Sequence, residues 1–240
     1  MPKIKLSNGV IKYKTHPLFL GVKKINIEIA TENLILLKSI LDQHNIKFGL
    51  IAGTLLGAIR EKDFIHHDED IDLFFLDEQR HLLLNLLPEL KNIGFEVARY
   101  DRRGLLSIIR NGEYIDLYFF TPLNDKIRHC CGWCVPEFFL IETTKIFFKG
   151  EEFIVPRDYE GFLEYEYGYD WQTPVKWANF DISWWKRNLH ELKCIIKEIL
   201  PNFIFKSITK HSERKMFKKY NTNIMRYNER YGTSLKINNT

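Results

Sequence analysis

Two apolar, strand-like runs of this sequence carry carboxylates, and this limits how the chain can fold. Asp70 and Asp72 begin the run 70–76, and Asp116 stands inside the run 114–120. Residues two apart in a strand share a face, about 7 Å apart, and carboxylates that close repel unless a cation lies between them. A lone Asp in an apolar strand is costly unless it is paired or bound to metal. If the two strands are neighbours, the three carboxylates predict a cluster that holds Mg²⁺ or Mn²⁺ for phosphoryl transfer.

A glycine-threonine segment upstream supplies groups that suit phosphate. Gly53 is predicted to end a strand and open a helix, where backbone N–H groups bind anions. Thr54 adds a hydroxyl, and Arg60 can hold a phosphate with two hydrogen bonds. Each feature alone is commonplace, since a Gly-Thr turn is usually a plain connection and an acidic run such as 68–72 is usually a solvated loop. Taken alone, Arg60 is more often an exposed surface cation, and Asp116 could be a structural hydrogen-bond acceptor. Their combination in this order is more specific.

Hydrophobic periodicity predicts an α+β fold. Helices are expected over 27–44, 54–60 and 78–92, and strands over 47–52, 70–76, 95–100, 105–110 and 114–120. The pair Asn111-Gly112 predicts a tight hairpin between the last two strands. This order indicates a mixed sheet with helices against one face. Beyond residue 120 the pattern weakens, with a short helix expected over 159–167, an amphipathic helix over 183–200, and a tail from 201 that is helical or loosely ordered.

Charge divides the chain into three parts. Residues 1–40 hold seven Lys and two Glu, residues 201–240 hold nine Lys or Arg and two Glu, and residues 41–200 hold 19 basic and 27 acidic residues. We therefore expect a basic segment 1–26, a catalytic domain 27–182 and a basic helical extension 183–240. The basic residues at both ends are either simply exposed to solvent or contact an anionic partner such as a membrane face. No apolar stretch is long enough for a membrane span or a secretory signal, so the expected compartment is the cytoplasm.

A second cluster of potential ligands lies at 129–134. His129, Cys130, Cys131 and Cys134 have the chemistry of zinc ligands. Adjacent cysteines and a short gap make four ligands from one segment awkward, so we favour small buried side chains beside Trp133.

Aromatic residues are concentrated further along the chain. We interpret them as part of a lid or core, in preference to a site that stacks a base or binds an ammonium group. The residues are Tyr165, Tyr167, Tyr169, Trp171 and Trp177. The helix after Trp184-Trp185 suits a membrane surface, although packing on the domain is the favoured explanation of its apolar face.

These motifs together resemble the LicD family, which includes the fukutin-related proteins. The resemblance rests on Gly53-Thr-Leu-Leu-Gly-Ala-Ile-Arg60, Phe64-Ile65, Asp68-Glu-Asp-Ile-Asp72 and the later segment with Val155-Pro156, Tyr159, Phe162-Leu163, Tyr167-Gly168-Tyr169-Asp170-Trp171 and Pro174. It spans roughly residues 34–180 and leaves the tail uncovered. The family implies a nucleotidyltransferase-like mixed β-sheet flanked by helices, here with a C-terminal helical extension.

The resemblance also implies residue roles. Asp70, Asp72 and Asp116 would be metal carboxylates, and Asp68 an accessory acid. Gly53 and Thr54 would hold the donor's phosphates, and Arg60 would pair with one. Some fukutin-related proteins carry a zinc-binding cysteine group. The chain departs from the family where His66-His67 replaces a Pro-Trp-like pair and Glu69 replaces a common Asp. We place His67 among the donor-binding residues, while the donor itself stays open.

The function implied is transfer of a phospho-substituent, of the phosphocholine or phospho-alditol type, from a CDP-linked donor to a hydroxyl of a glycan or glycolipid. CMP would leave, and either Asp116 or Asp68 would act as general base. The expected partners are that donor and acceptor, with peripheral contact at the inner face of the membrane and no nucleic acid. Two alternatives stay open: a nucleotidyltransferase that adds a nucleotide from an NTP to a sugar, small molecule, protein or tRNA, and a catalytically silent binding module.

Overall fold

The centre of the protein is a mixed β-sheet, seen in a computed structural model that describes residues 1–16, 24–174 and 184–236. The strands are β1 Lys3–Leu6, β2 Gly9–Lys12, β3 Gly49–Leu50, β4 Asp70–Leu76, β5 Glu96–Asp101, β6 Leu105–Arg110, β7 Glu113–Pro122, β8 Ile127–Cys130, β9 Trp133–Pro136, β10 Thr143–Phe148 and β11 Glu151–Pro156. The helices are α1 Ile27–Gln43, α2 Ala52–Arg60, α3 Arg80–Asn92, α4 Glu137–Ile141, α5 Tyr159–Tyr167, α6 Trp184–Ile199 and α7 Asn202–Tyr231, with a 3₁₀ turn at Asp77–Gln79.

The large sheet has the order β10-β11-β3-β4-β7-β6-β5, and the hairpin β8–β9 extends from β7. The pairs β4–β7 and β11–β3 are parallel, and the others are antiparallel. Helices flank this sheet, so the predicted α+β class with a mixed sheet is confirmed.

The two carboxylate-bearing strands are direct neighbours at the centre of the sheet. Strands β4 and β7 pair in parallel with Asp72 opposite Asp116. Leu73, Phe75 and Phe119 in these strands have no exposed surface, which explains why both runs are almost continuously apolar. The apolar parts of the two strands are therefore buried, and their carboxylates lie near the beginning of α2.

Helix α1 packs on this central pair with a face that includes Leu34, Leu37 and Leu41. Its N-terminus is capped by Asn26, whose side chain accepts a hydrogen bond from the Ile29 N–H (3.2 Å). The predicted helix 27–44 is thus confirmed to within one residue.

Several short elements were not predicted from the sequence. The segment 1–12 forms the hairpin β1–β2, and strands β8 to β11 form two further hairpins after residue 120. Their two-residue turns, Cys131-Gly132 and Lys149-Gly150, have positive φ at both positions (54° and 92°, 52° and 87°). Such turns usually begin with Asn or Asp, as at Asn111-Gly112, so the sequence signal was weak.

The C-terminal tail is a long helix that belongs to the core. Tyr220, Ile224 and Tyr227 of α7 are buried in the main apolar cluster. The Tyr220 hydroxyl donates to Glu166 Oε1 (2.9 Å), and the Trp133 indole N–H donates to Glu166 Oε2 (2.8 Å). Of the two predicted states of the tail, the helical one is confirmed. The division of the chain at residues 26 and 182 stays a prediction.

The apolar side chains of α6 are more exposed than the sequence analysis predicted. Packing on the domain was the favoured explanation for it, but Trp185, Leu189, Leu192, Ile196 and Ile199 are between 42% and 75% exposed. Within the described residues, no helix is long and apolar enough to cross a membrane.

Candidate active site

Three carboxylates converge at the start of β4. Asp68, Asp70 and Asp72 each offer one oxygen, and these oxygens lie within 4.8 Å of one another. Within the described residues this is the one group of three or more His, Cys, Asp or Glu side chains close enough to share a metal ion. Asp68 precedes the strand, and Asp70 and Asp72 share a strand face. Oxygen ligands at this spacing suit Mg²⁺ or Mn²⁺.

The beginning of α2 fixes the position of Asp72. The Thr54 hydroxyl accepts a hydrogen bond from the Asp72 N–H (2.8 Å), and the Gly53 N–H donates to Asp72 Oδ2 (3.0 Å). The Ile51 N–H also donates to the Asp72 carbonyl (3.3 Å). The glycine-threonine segment and the acidic run are therefore one structural unit, although they lie far apart in sequence.

These contacts differ from the phosphate contacts predicted for Gly53 and Thr54. The Thr54 side chain is only 1% exposed, and Asp72 already occupies its hydroxyl and the Gly53 N–H. In the structure both residues hold Asp72, Gly53 through its carboxylate and Thr54 through its backbone N–H, and their contact with phosphate stays a prediction.

The two glycines of α2 are required for different reasons. A Cβ at Gly53 would overlap Asp68 Oδ2 and would lie 3.2 Å from Asp72 Oδ2. A Cβ at Gly57 would lie 2.5 Å from the Asp63 carbonyl oxygen and 3.0 Å from the Ile65 N. Gly53 thus leaves room for the carboxylates, and Gly57 lets α2 pack against the 63–65 backbone. Ala52 has a φ of 48°, a conformation that costs a non-glycine residue about 1 kcal/mol or more.

We expect Gly53→Ala and Gly57→Ala to have contrasting effects. Because Gly53→Ala displaces the side chain of Asp68, it should weaken Mn²⁺ binding by about tenfold or more, while the free energy of unfolding changes by about 1 kcal/mol or less. The new Cβ of Gly57→Ala would overlap backbone atoms, so this change should lower the free energy of unfolding by about 2 kcal/mol or more. Isothermal titration with Mn²⁺ and thermal unfolding of the two variants would check this. Equal losses of stability would contradict the separate roles.

The negative charges of the clustered carboxylates repel one another. Burial raises the pKa of Asp72 well above its usual value, and the charges of Asp68 and Asp116 raise it further. Burial also raises the pKa of Asp70 well above its usual value, followed by the charges of Asp72 and Asp116. Burial raises the pKa of Asp68 as well. Hydrogen bonds such as that from Gly53 offset only part of this cost at Asp72. A divalent cation would supply the missing counter-charge.

Asp116 lies beside the cluster but has protein partners of its own. Arg99 forms an ion pair with Asp116 Oδ2 (2.8 Å), Ser107 donates to Oδ1, and the Tyr118 hydroxyl donates to Oδ2 (3.3 Å). The Asp116 side chain is nearly buried. Its strand lies beside β4, which is the condition on which the three-carboxylate cluster depended, while its role as a metal ligand stays a prediction.

Sequence reasoning missed Arg99, Ser107 and Tyr118. Asp72, Asp116, Ser107 and Arg99 lie opposite one another across β4, β7, β6 and β5. Ser107 was within reach of prediction. The Asn111-Gly112 turn fixes the register of β6 on β7, and counting back from it places Ser107 opposite Asp116. Arg99 follows an irregularity in the β5–β6 register, so counting does not reach it.

Arg60, His66 and His67 lie between the glycine-threonine segment and the acidic run in sequence. Arg60 donates to the Trp171 carbonyl (3.2 Å) and pairs with Glu61 (2.6 Å), while its buried Nε has no hydrogen-bond partner among the described residues. His67 is close enough for its charge to lower the pKa of Asp68, against the larger effect of burial. His66 is exposed.

Tyr167 brings the C-terminal motif to the site. The pKa of its phenol is raised, first by desolvation of the hydroxyl and then by the charges of Asp72, Glu166 and Asp68. Tyr165 and Trp171 are buried, as the core interpretation predicted, whereas Tyr167 and Tyr169 are exposed. Trp177 lies outside the described residues.

The structure does not assemble a zinc site from His129, Cys130, Cys131 and Cys134. Among the residues described, they form no group with metal-ligand spacing. The reason is the β8–β9 hairpin, in which His129 lies opposite Cys134 and Cys130 lies opposite Trp133, so that Cys130 points away from the other pair. Cys130 and Cys134 are buried, and burial raises the pKa of both thiols. The favoured interpretation, small buried side chains beside Trp133, fits this arrangement.

Comparison with known proteins finds a family match that covers the carboxylate cluster. Residues 45–158 match the family described as LicD/FKTN/FKRP, nucleotidyltransferase domain. This segment therefore matches a LicD-family domain. It contains β3, α2, β4 and β7, and therefore the whole carboxylate cluster. The assignment confirms the resemblance and supports a transferase.

Two curated relatives are uncharacterized proteins of Rickettsia. One from Rickettsia typhi is 29% identical over 90 residues, which is 38% of this chain and 28% of that protein. One from Rickettsia prowazekii is 36% identical over 63 residues, which is 26% of this chain and 23% of that protein. The chain thus spans about a quarter of the length of these relatives.

Solved structures with some likeness include two antibiotic-modifying proteins. The lincosamide antibiotic adenylyltransferase LnuA has a TM-score of 0.41 and 12% identity, covering 68% of this chain and 96% of that chain. The antibiotic-resistance factor ANT(2'')-Ia has a TM-score of 0.46 and 15% identity, covering 86% of this chain and 98% of that chain. At these scores the likeness carries no argument about function.

Proposed function

We propose that the protein is a metal-dependent phosphotransferase that moves a phospho-substituent from a CDP-linked donor to a hydroxyl of a glycan or glycolipid, releasing CMP. The observation that carries this proposal is the Asp68–Asp70–Asp72 group, whose oxygens lie within 4.8 Å of one another inside a LicD-family domain. An acidic cluster that serves only solubility would not need to be buried at the end of the central strand pair.

The residues fit a divalent cation of the Mg²⁺ or Mn²⁺ type. Asp68, Asp70 and Asp72 would hold it, because their charges repel one another and burial raises the pKa of all three carboxyl groups. We keep Asp116 as a further proposed ligand, since its charge raises the pKa of both Asp70 and Asp72. When bound, such a cation supplies charge neutralisation for the donor's phosphates and acidifies an attacking hydroxyl.

The contacts favour Asp68 over Asp116 as general base. Both oxygens of Asp116 already accept hydrogen bonds from Arg99, Ser107 or Tyr118. Asp68 is only partly buried and accepts from the Glu69 N–H (3.1 Å). As a ligand of the cation it would lie next to the hydroxyl that the cation acidifies, and its other oxygen would take that proton as the hydroxyl oxygen attacks phosphorus.

The donor would lie between the carboxylates and the rim formed by Arg60, His67 and Tyr167. Among the described residues the buried Nε–H of Arg60 has no acceptor, which supports a phosphate contact. Gly53 and Thr54 would act by holding Asp72 in place. The acceptor would approach from the exposed side of Asp68, at a site that we propose to work at the inner face of the membrane.

A nucleotidyltransferase that uses an NTP is the second candidate, because the matched family is described as a nucleotidyltransferase domain. Product analysis separates the two. The protein would be incubated with Mg²⁺ or Mn²⁺ and CDP-choline, CDP-glycerol, CDP-ribitol, CDP-ethanolamine or each NTP. We expect CMP and a free phospho-head group from one CDP donor. Pyrophosphate release from an NTP, with every CDP donor intact, would overturn the proposal in favour of nucleotide transfer.

A further inference from the structure

Helix α6 presents large apolar side chains to the outside of the protein. Trp185, Leu189, Leu192, Ile196 and Ile199 follow one another at alternating steps of four and three residues, which places them along one side of the helix. Each is 42% to 75% exposed. A contiguous apolar patch on a folded surface marks an interaction site.

A row of cations lies on the neighbouring helix. Lys206, Lys210 and Arg214 of α7 are spaced four residues apart, so they stack on one side and repel one another. All three are exposed, and within the described parts of the chain none has an ion-pair partner. They line a groove of about 710 Å³ between α7 and the turn that contains Arg102 and Arg103. Such an arrangement is stabilised by an anionic partner.

Arg102 joins the apolar stripe to the cation row. Its guanidinium donates to the carbonyls of Lys197 (2.9 Å) and Leu200 (2.8 Å) at the end of α6, and it stacks 4.2 Å from the centre of the Phe205 ring on α7. The contact also stabilises the carbonyl end of α6. The end of the stripe and the start of the row therefore meet at Arg102. We call the stripe and the row together the junction face: Trp185, Leu189, Leu192, Ile196, Ile199, Lys206, Lys210 and Arg214.

We propose that the junction face docks the protein on an anionic lipid bilayer. The apolar stripe of α6 enters the boundary between head groups and acyl chains, and the cation row contacts lipid phosphates. Charge selects this partner over a second copy of the chain, since a two-fold dimer through this face would bring the two cation rows together. Docking holds the carboxylate site near a lipid-linked acceptor, and it operates whichever donor the site uses.

Vesicle binding by the full chain tests the role of the cation row. The chain should sediment with vesicles of phosphatidylcholine containing about one-third phosphatidylglycerol, and far less with phosphatidylcholine alone. Combined Lys206→Ala, Lys210→Ala and Arg214→Ala should reduce the partition coefficient by about a hundredfold. The matched control, Lys3→Ala, Lys5→Ala and Lys12→Ala on the exposed β1–β2 hairpin, removes equal charge and should change it by about twofold or less. Equal losses in both variants, or no binding by the native chain, would overturn the proposal.

A second pair of variants tests the apolar stripe. Leu192→Ser with Ile196→Ser should lower the partition coefficient by about tenfold or more, whereas Val10→Ser with Leu82→Ser, at other exposed sites, should leave it unchanged. Sedimentation velocity without lipid should show a monomer. A dimer dispersed by the Leu192 and Ile196 changes would assign the stripe to self-association and overturn the proposal. Because no donor is present, failure here is distinct from failure of CMP release.

Discussion

Replacing Asp72 by asparagine is expected to lower the rate of CMP release by about a thousandfold. Asn has the same shape, and its side-chain oxygen can still accept the Gly53 N–H, so the link between α2 and β4 is kept. What is lost is one negative charge at the centre of the carboxylate cluster. The rate would be measured with the CDP donor that the native protein turns over.

The control for this substitution is Asp125→Asn. Asp125 is an exposed aspartate, remote from the cluster in the loop between β7 and β8. It should keep the native rate to within about twofold, since exposed changes away from such features rarely matter. If Asp72→Asn also retained the native rate while remaining folded, the cluster would have no part in catalysis.

The second large effect concerns stability in the absence of metal. Folding raises the pKa of Asp70 and Asp72, mainly through burial and then through neighbouring carboxylates. In the unfolded chain these groups titrate near pH 4, so above that pH the folded state binds more protons than the unfolded state. Their contribution to stability is therefore present in full at low pH and is lost as the pH rises towards the raised pKa values.

Asp72→Asn should reverse this loss. In EDTA at pH 7.5 the variant should be more stable than the native protein by about 2 kcal/mol, or roughly 5 °C in Tm, and the difference should shrink as the pH falls towards 4. Excess Mg²⁺ or Mn²⁺ should stabilise the native protein at pH 7.5 by about 2 to 3 kcal/mol and leave the variant unaffected. Thermal unfolding from pH 4 to 8, with and without metal, measures both effects. A variant less stable than the native protein in EDTA would refute the account of opposed charges.

Much of the site was accessible from the sequence because its parts follow local rules. The alternation of side chains along a strand places Asp70 and Asp72 on one face, and the apolar runs around them require central strands. The Asn111-Gly112 turn fixes the register that sets Ser107 opposite Asp116. These inferences need only strand geometry and turn chemistry.

Other features depend on tertiary contacts that no local pattern encodes. The sequence indicated Thr54 as a phosphate ligand because its hydroxyl follows a glycine. In the fold that hydroxyl is buried against the Asp72 N–H, a contact set by how α2 meets β4. Arg99 of β5 reaches Asp116 of β7 across the intervening strand β6, so its position depends on the register of two strand pairs. The hairpins after residue 120 have turns whose positive φ is adopted by Cys131 and Lys149, residues that carry little turn signal.

If Asp68, Asp70 and Asp72 together hold a divalent cation, Mn²⁺ binding followed by electron paramagnetic resonance should show it. We expect saturable binding to the native protein and to Asp125→Asn, and a loss of about a hundredfold or more in affinity in Asp72→Asn. Native affinity for Mn²⁺ in a folded Asp72→Asn protein would mean that the three carboxylates do not form the metal site.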